Sequence, residues 1–197
     1  MAKKIKRPNW FCNEDLKALQ YGIKEKFKNH KATIITETEN IFVMEWKNKN
    51  GSQEYFVKYI LDKQQGVFMV YGDLGESMAY WHNELEVTDV TSFVYDIGYY
   101  SEKIKIGNIY TLRYDDIIND LSELRKEYID NTEALQSFDK ALECVKYDNN
   151  ALYELLTEYI ETDELSCVGK RLDQRVHLWA AGFLLACEQL GIIEIVD

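Results

Sequence analysis

Apolar and polar positions alternate with a period of two through the first half of the chain and with a helical period through the second. Ala32 to Thr38 and Ile41 to Lys47 are rich in β-branched and aromatic residues and read as strands. In the second of these, Phe42, Met44 and Trp46 point one way and Ile41, Val43 and Glu45 the other. Asn50-Gly51 is a hairpin-turn signal, because both positions tolerate positive φ. Gln53 to Leu61 returns as a strand, with Tyr55, Val57 and Tyr59 alternating against Phe56, Lys58 and Ile60. Val67 to Tyr71 is apolar throughout, the pattern of a strand covered on both faces. Short connections between these runs predict an antiparallel meander of about four strands.

Helical signals frame this meander. Asn13 to Lys28 is expected as an N-terminal helix, with Asn13 as its cap and Leu16, Leu19, Ile23 and Phe27 as its buried stripe. After the last strand, Gly72-Asp73-Leu74-Gly75-Glu76 reads as a tight exit into a short helix reaching His82. Asp73 would cap that helix, with Glu76 reaching back three residues later. A further helix is expected around Thr91 to Tyr100. From Tyr114 the stripes are Ile117-Leu121-Leu124-Tyr128, Leu135-Phe138-Leu142-Val145 and Leu152-Leu155-Leu156-Tyr159. The longest is Leu172-Val176-Trp179-Phe183-Cys187-Leu190, closed by Gly191. Ile192 to Val196 reads as a short terminal strand. Strands first and helices later predict an α+β fold in a single domain over 1–197, with a division into lobes 1–110 and 111–197 left open.

Composition changes this picture little, and charge changes it more. The 197 residues are 46% hydrophobic and 29% charged, an ordinary globular balance. The formal net charge is −11, which argues against a duplex-DNA binder working by counterion release over its whole surface. The charge is unevenly placed. Met1 to Lys31 holds nine Lys/Arg and three Asp/Glu, whereas Thr111 to Ser166 carries fifteen acids and five bases. The acids singled out there are Asp115, Asp116, Asp120, Glu123, Glu127, Glu154, Glu158, Glu161, Asp163 and Glu164. Glu154, Glu158 and Glu161 recur at spacings of four and three, so one helix face would display them together.

Such acids ordinarily form a solvated helix face that keeps a protein soluble. The functional alternative is a docking surface for a basic, nucleic-acid-binding protein, in which the acids imitate phosphates electrostatically. Tyrosines border the acidic region at Tyr95, Tyr99, Tyr100, Tyr110 and Tyr114. Of these, Tyr99, Tyr100 and Tyr110 are taken as candidate interface anchors. They also leave a homodimer open. The basic N-terminus is read as an unpaired tail with one amphipathic helix, or as a local RNA or DNA contact through Lys3, Lys4, Lys6, Arg7, Lys17, Lys24 and Lys28.

Catalytic motifs are absent: there is no G-x-x-x-x-G-K-[ST], G-x-G-x-x-G, H-E-x-x-H or G-x-S-x-G. Cys12, Cys144, Cys167 and Cys187 form no C-x-x-C pair and are read as reduced core thiols. His30, His82 and His177 complete no zinc pattern. Asp73, Glu76 and His82 have the donor chemistry of a metal site, and with them a small metal-dependent hydrolase or nuclease stays open as an alternative. No catalytic residue, metal or cofactor is otherwise assigned. The longest apolar run, Leu178 to Cys187, is half of the roughly 20 residues that a membrane span needs.

The run Gly66-Val67-Phe68-Met69-Val70-Tyr71-Gly72-Asp73-Leu74-Gly75, followed by Tyr80-Trp81, resembles small orphan proteins of phages and prophages of Gram-positive bacteria. These carry an apolar strand ending in Gly-Asp-x-Gly with an aromatic pair soon after. That gene pool includes anti-CRISPR inhibitors. The resemblance rests on a short stretch of the chain and leaves the acidic half outside it. It implies a non-enzymatic protein in the cytoplasm of a bacterial host, binding a CRISPR effector nuclease and blocking DNA binding or cleavage. An acidic immunity protein that neutralises a basic toxin nuclease would use the same electrostatics.

Overall fold

The computed structural model describes residues 2–6, 8, 23, 25–146 and 151–196. The fold is α+β, with strands leading and helices following. The chain forms two compact units, Met1–Ile109 with Gln174–Asp197, and Tyr110–Asp173. The long C-terminal helix therefore belongs with the sheet and not with the acidic helices. Of the expected helix over Asn13 to Lys28, Ile23 and residues 25–27 are helical, and most of the rest lies outside the described residues.

The first unit is built on strands β2 (His30–Glu37), β3 (Ile41–Asn48), β4 (Val57–Asp62), β5 (Val67–Gly72), β6 (Gly75–Tyr80) and β7 (Ile104–Ile106). They pair in that order as a six-stranded antiparallel meander, two strands more than the sequence pattern predicts. Of the two extra strands, β6 sits where the pattern points to a helix and β7 where it points to no element. The Gly-Asp-Leu-Gly turn does not start a helix: Gly72 pairs with Gly75 across an Asp73-Leu74 loop, and β6 returns along β5. Ser77 and Ala79 face inward while Glu76, Met78 and Tyr80 face outward, a strand alternation that pairing with β5 rewards. Asp73 caps no helix; its Oδ2 accepts the Tyr55 backbone N–H at 2.8 Å.

Inward-facing Phe42, Met44, Tyr59, Leu61, Phe68 and Val70 are all buried. They pack against helix α7 (Gln174–Gln189), whose Trp179, Phe183 and Cys187 are also buried. Phe68 and Phe183 meet edge to face at 4.9 Å, and the Tyr59 hydroxyl donates to the Trp179 carbonyl at 2.9 Å. Gly182 permits this approach, because a Cβ there would lie 2.5 Å from the Tyr59 hydroxyl. Helices α1 (Val87–Tyr95) and α2 (Ile97–Lys103) take the place of the single helix expected over Thr91 to Tyr100. A separate strand pair joins β1 (Lys3–Lys6) in parallel to β10 (Ile193–Val196); β10 falls on the expected terminal strand, and β1 lies in the segment read as an unpaired tail.

The second unit holds helices α3 (Tyr114–Glu127), α4 (Thr132–Cys144), α5 (Ala151–Leu156) and α6 (Thr162–Leu165), with β8 (Tyr110–Leu112) paired to β9 (Lys170–Leu172). Its core is Ile117, Leu121, Phe138, Ala141, Leu156 and neighbours, so the first helical stripe falls where the pattern puts it, while in the second Phe138, Leu142 and Val145 reach the core and Leu135 gives way to Ala134 and Ala141 as buried positions. The third does not continue. Helix α5 ends at Leu156, and the chain turns so that Ile160 and Leu165 reach the core. Leu172, expected to begin the fourth stripe, lies in β9.

Candidate functional site

The ten acids proposed for docking all lie in the second unit, which carries seven Lys/Arg and sixteen Asp/Glu, net −9. The structure divides them. Asp116 and Asp120 face one cation, Arg171 on β9. Arg171 Nη2 and Nη1 donate to the two Asp120 oxygens at 2.6 and 2.9 Å, and Nε lies 3.4 Å from Asp116 Oδ1. Asp120 also accepts the Gly169 backbone N–H at 2.8 Å. The Arg171 guanidinium, helped by that N–H, holds the Asp120 carboxyl below the ordinary carboxylate range. These two acids fasten β9 to α3 and are withdrawn from any docking role. Glu123 pairs with Lys126 one turn along α3 at 2.6 Å.

The remaining seven, Asp115, Glu127, Glu154, Glu158, Glu161, Asp163 and Glu164, are exposed and enter no ion pair among the described residues. Asp115, Asp163 and Glu164 occupy first helical turns, where the helix dipole favours them. The single helix face expected from Glu154, Glu158 and Glu161 does not form. Glu154 is on α5, Glu158 follows its end and Glu161 occupies the N-cap position of α6 without a side-chain capping bond. Four of the seven thus crowd into residues 158–164.

The tyrosines separate as well. Tyr100 is wholly buried in the first unit, ring-stacked with Trp81 at 6.4 Å, and desolvation pushes its phenol up, so it is no contact residue. Tyr99 is half-buried on α2, with Lys103 Nζ 4.8 Å from its ring centroid. Tyr110 is 47% exposed on β8, in the second unit. Leu112, Tyr114, Ile129 and Tyr153 of the same unit are also exposed, and three of these four were not singled out in the sequence. The signal that could have found Leu112 is its i+2 spacing from Tyr110 on a strand; Ile129 and Tyr153 carry no comparable signal.

The other candidates are not assembled. Asp73 sits in the β5–β6 loop, Glu76 is the second residue of β6, and His82 lies beyond its far end, about 20 Å from Glu76 at strand rise. Among the described residues no group of three or more His, Cys, Asp or Glu could hold a metal ion. Cys144 and Cys167 are exposed and not core thiols, Cys187 is buried, where desolvation pushes its thiol up, and Cys12 lies outside the described residues. At the N-terminus Lys3 Nζ donates to Ser92 Oγ at 2.8 Å and to the Thr88 carbonyl at 3.1 Å, while Lys4 pairs with Glu194 at 3.7 Å. Lys28 pairs with Glu25 at 2.5 Å, so three of the lysines proposed for nucleic-acid contact have partners within the protein. Arg7, Lys17 and Lys24 lie outside the described residues.

No described helix is long and apolar enough to cross a membrane. Comparison of the chain with protein-family models, with curated proteins and with solved structures finds no match.

Proposed function

We propose that this protein works by binding, and that its acidic helical unit docks on a basic, nucleic-acid-handling protein. One observation carries the reading: seven exposed carboxylates outside any described ion pair share the second unit with exposed Tyr110, Leu112, Tyr114, Ile129 and Tyr153. Aromatic and aliphatic anchors amid acids are the composition of an interface for a cationic surface. The carboxylates would occupy arginines and lysines that otherwise hold phosphates, and the apolar anchors would supply contact area that salt does not screen.

The narrower reading is an anti-CRISPR inhibitor. Its partner is a CRISPR effector nuclease of the bacterial host, whose positively charged channel holds nucleic acid by its backbone. The test is binding of the purified protein to purified CRISPR effectors of Gram-positive bacteria, with and without guide RNA. Binding that weakens steeply with salt is expected. The combined Glu158→Lys, Glu161→Lys and Glu164→Lys protein is expected to bind at least tenfold more weakly. Salt-independent binding that the reversal leaves intact would overturn the acidic-docking reading. Failure to bind any effector, with nuclease activity unaffected, would overturn the narrower one.

A further inference from the structure

The meander of the first unit has a second face. Cross-strand pairing places Val43, Ile60, Met69, Met78 and Ile106 in one row across five strands, opposite the buried side. All five are apolar and partly or fully exposed, Ile106 at 56%. Ile60, Met69, Met78 and Ile106 line a shallow groove of about 330 Å³. This explains why Val67 to Tyr71 is apolar throughout: Phe68 and Val70 face the core, while Val67 and Met69 face outward. Rows of mixed character flank the stripe. On one side lie Glu45, Lys58, Tyr71 and Glu76, and on the other Ile41, Asp62, Val67 and Tyr80.

The outward residues of β4 are thus Lys58, Ile60 and Asp62: a cation, an apolar residue and an anion at equal spacing, the cation also pairing with Glu45 of its own chain at 2.7 Å, so that a partner's Asp62 would join that pair. A two-fold axis through Ile60, perpendicular to the strands, turns this order onto its own complement. We propose that this face is the interface of a homodimer, in which a second copy packs its own open sheet face antiparallel across that axis. Ile60 then meets the partner's Ile60, Met69 meets the partner's Met69, and Lys58 meets the partner's Asp62. The same axis brings Glu76 opposite the partner's Tyr80 position.

Area and charge both favour a second copy. Six strands about 4.8 Å apart and three outward rows about 6.7 Å apart present a face on the order of 500 Å² in projection. Side-chain relief enlarges it, so two copies together approach the roughly 1,200 Å² at which stable interfaces begin. Two chains of net charge −11 repel, but the first unit accounts for only −2 of it. Pairing through the first unit therefore brings little net like charge of that unit together. Lateral pairing through β2 is disfavoured by the bulge between Ile34 and Thr36.

The test is sedimentation equilibrium of the full chain across about 1–200 µM, the range in which an interface of this size is expected to self-associate. The expected species has twice the 23.2 kDa chain mass. Lys58→Asp and Asp62→Lys each oppose like charges at both symmetric contacts, and each alone is expected to weaken the dimer at least tenfold. Mixed together, the two variants restore opposite charges at both contacts and re-form a dimer. Met69→Lys is expected to abolish it in every combination. A circular dichroism spectrum like that of the unmodified protein and a single cooperative melt certify each variant as folded; the melt itself is expected to fall where the dimer is lost. A chain that stays monomeric throughout the range overturns the proposal. So does a dimer that all three substitutions leave intact, or a failure of the mixed variants to reassociate.

Discussion

The Gln189 side chain, at the last residue of α7, closes on the edge of strand β2 at Ala32. The Ala32 backbone N–H donates to Gln189 Oε1 at 2.7 Å, and Gln189 Nε2 donates to the neighbouring His30 carbonyl at 3.3 Å. A carboxamide presents one acceptor and one donor side by side, as a neighbouring strand would. It therefore satisfies a stretch of edge that would otherwise template pairing with another chain. Replacing Gln189 with alanine is expected to lower stability by about 1–2 kcal/mol for two lost hydrogen bonds. Amide exchange at Ala32 should accelerate while that of Tyr59, in the sheet centre, follows global stability. Unchanged exchange at Ala32 would contradict the clamp.

Arg171 and Asp120 set the acid stability of the second unit. The guanidinium holds the Asp120 carboxyl below its ordinary range, so the ionised carboxylate is favoured in the folded state. That contribution is present above the ordinary carboxylate pKa of about 3.9 and is lost as pH falls through the lower folded value. Both side chains are partly exposed, at 43% and 29%, so the pair is worth on the order of 1 kcal/mol. Arg171→Met is expected to lower the melting temperature at pH 7, and the gap to the unmodified protein should shrink below about pH 4. A gap independent of pH would assign the loss to packing.

His30 gives the first unit a different acid response. It is 2% exposed and lies between Phe27 and Trp46, with ring centroids 5.1 and 5.5 Å away. Nε2 lies 3.2 Å from the Tyr55 carbonyl oxygen, which fixes it as the donor, and Nδ1 has no hydrogen-bond partner. A second proton on Nδ1 would be buried without an acceptor, and desolvation holds the folded pKa below 6.5. The unfolded chain therefore takes up a proton near pH 6.5 that the folded chain refuses. Stability should decline as pH falls from about 6.5 towards the lower folded value, ahead of carboxylate protonation. Calorimetry of His30→Gln should show that decline removed, at some cost in stability at neutral pH.

Much of the first unit was legible in the sequence because its strands obey their period. Phe42, Met44 and Trp46 are buried and Ile41, Val43 and Glu45 partly exposed, as the alternation predicts. The Gly72–Glu76 segment misled for a physical reason. Asp-Leu-Gly-Glu satisfies a helix-capping pattern and a two-residue hairpin loop equally, and only the tertiary pairing of β6 with β5 selects between them. The three-residue strands β7, β8 and β9 were not legible, since each is fixed by a partner distant in sequence. The acidic unit was legible in composition and not in arrangement. Which acids are free depends on Arg171 arriving beside Asp116 and Asp120 from more than fifty residues away, and nothing local announces it.

Gly169 is the residue that lets Arg171 arrive there. Its φ is +72°, a conformation that side-chain-bearing residues rarely adopt, and a Cβ built on it would lie 2.1 Å from Ile117 Cγ1 and 3.2 Å from Ile117 Cα. Ile117 is 3% exposed in the core of the second unit, so it has little room to withdraw. The Gly169 N–H also supplies one hydrogen bond to Asp120. Gly169→Ala therefore combines left-handed backbone strain with overpacking and is expected to cost about 2–4 kcal/mol. The effect should fall on the second unit: accelerated amide exchange at Leu121 and Phe138, with Tyr59 and Phe68 of the first unit left near their original rates. If the seven exposed acids bind only when their helices are held, this substitution should also weaken partner binding without altering any acid. Equal loosening of both units would instead make the two one cooperative body.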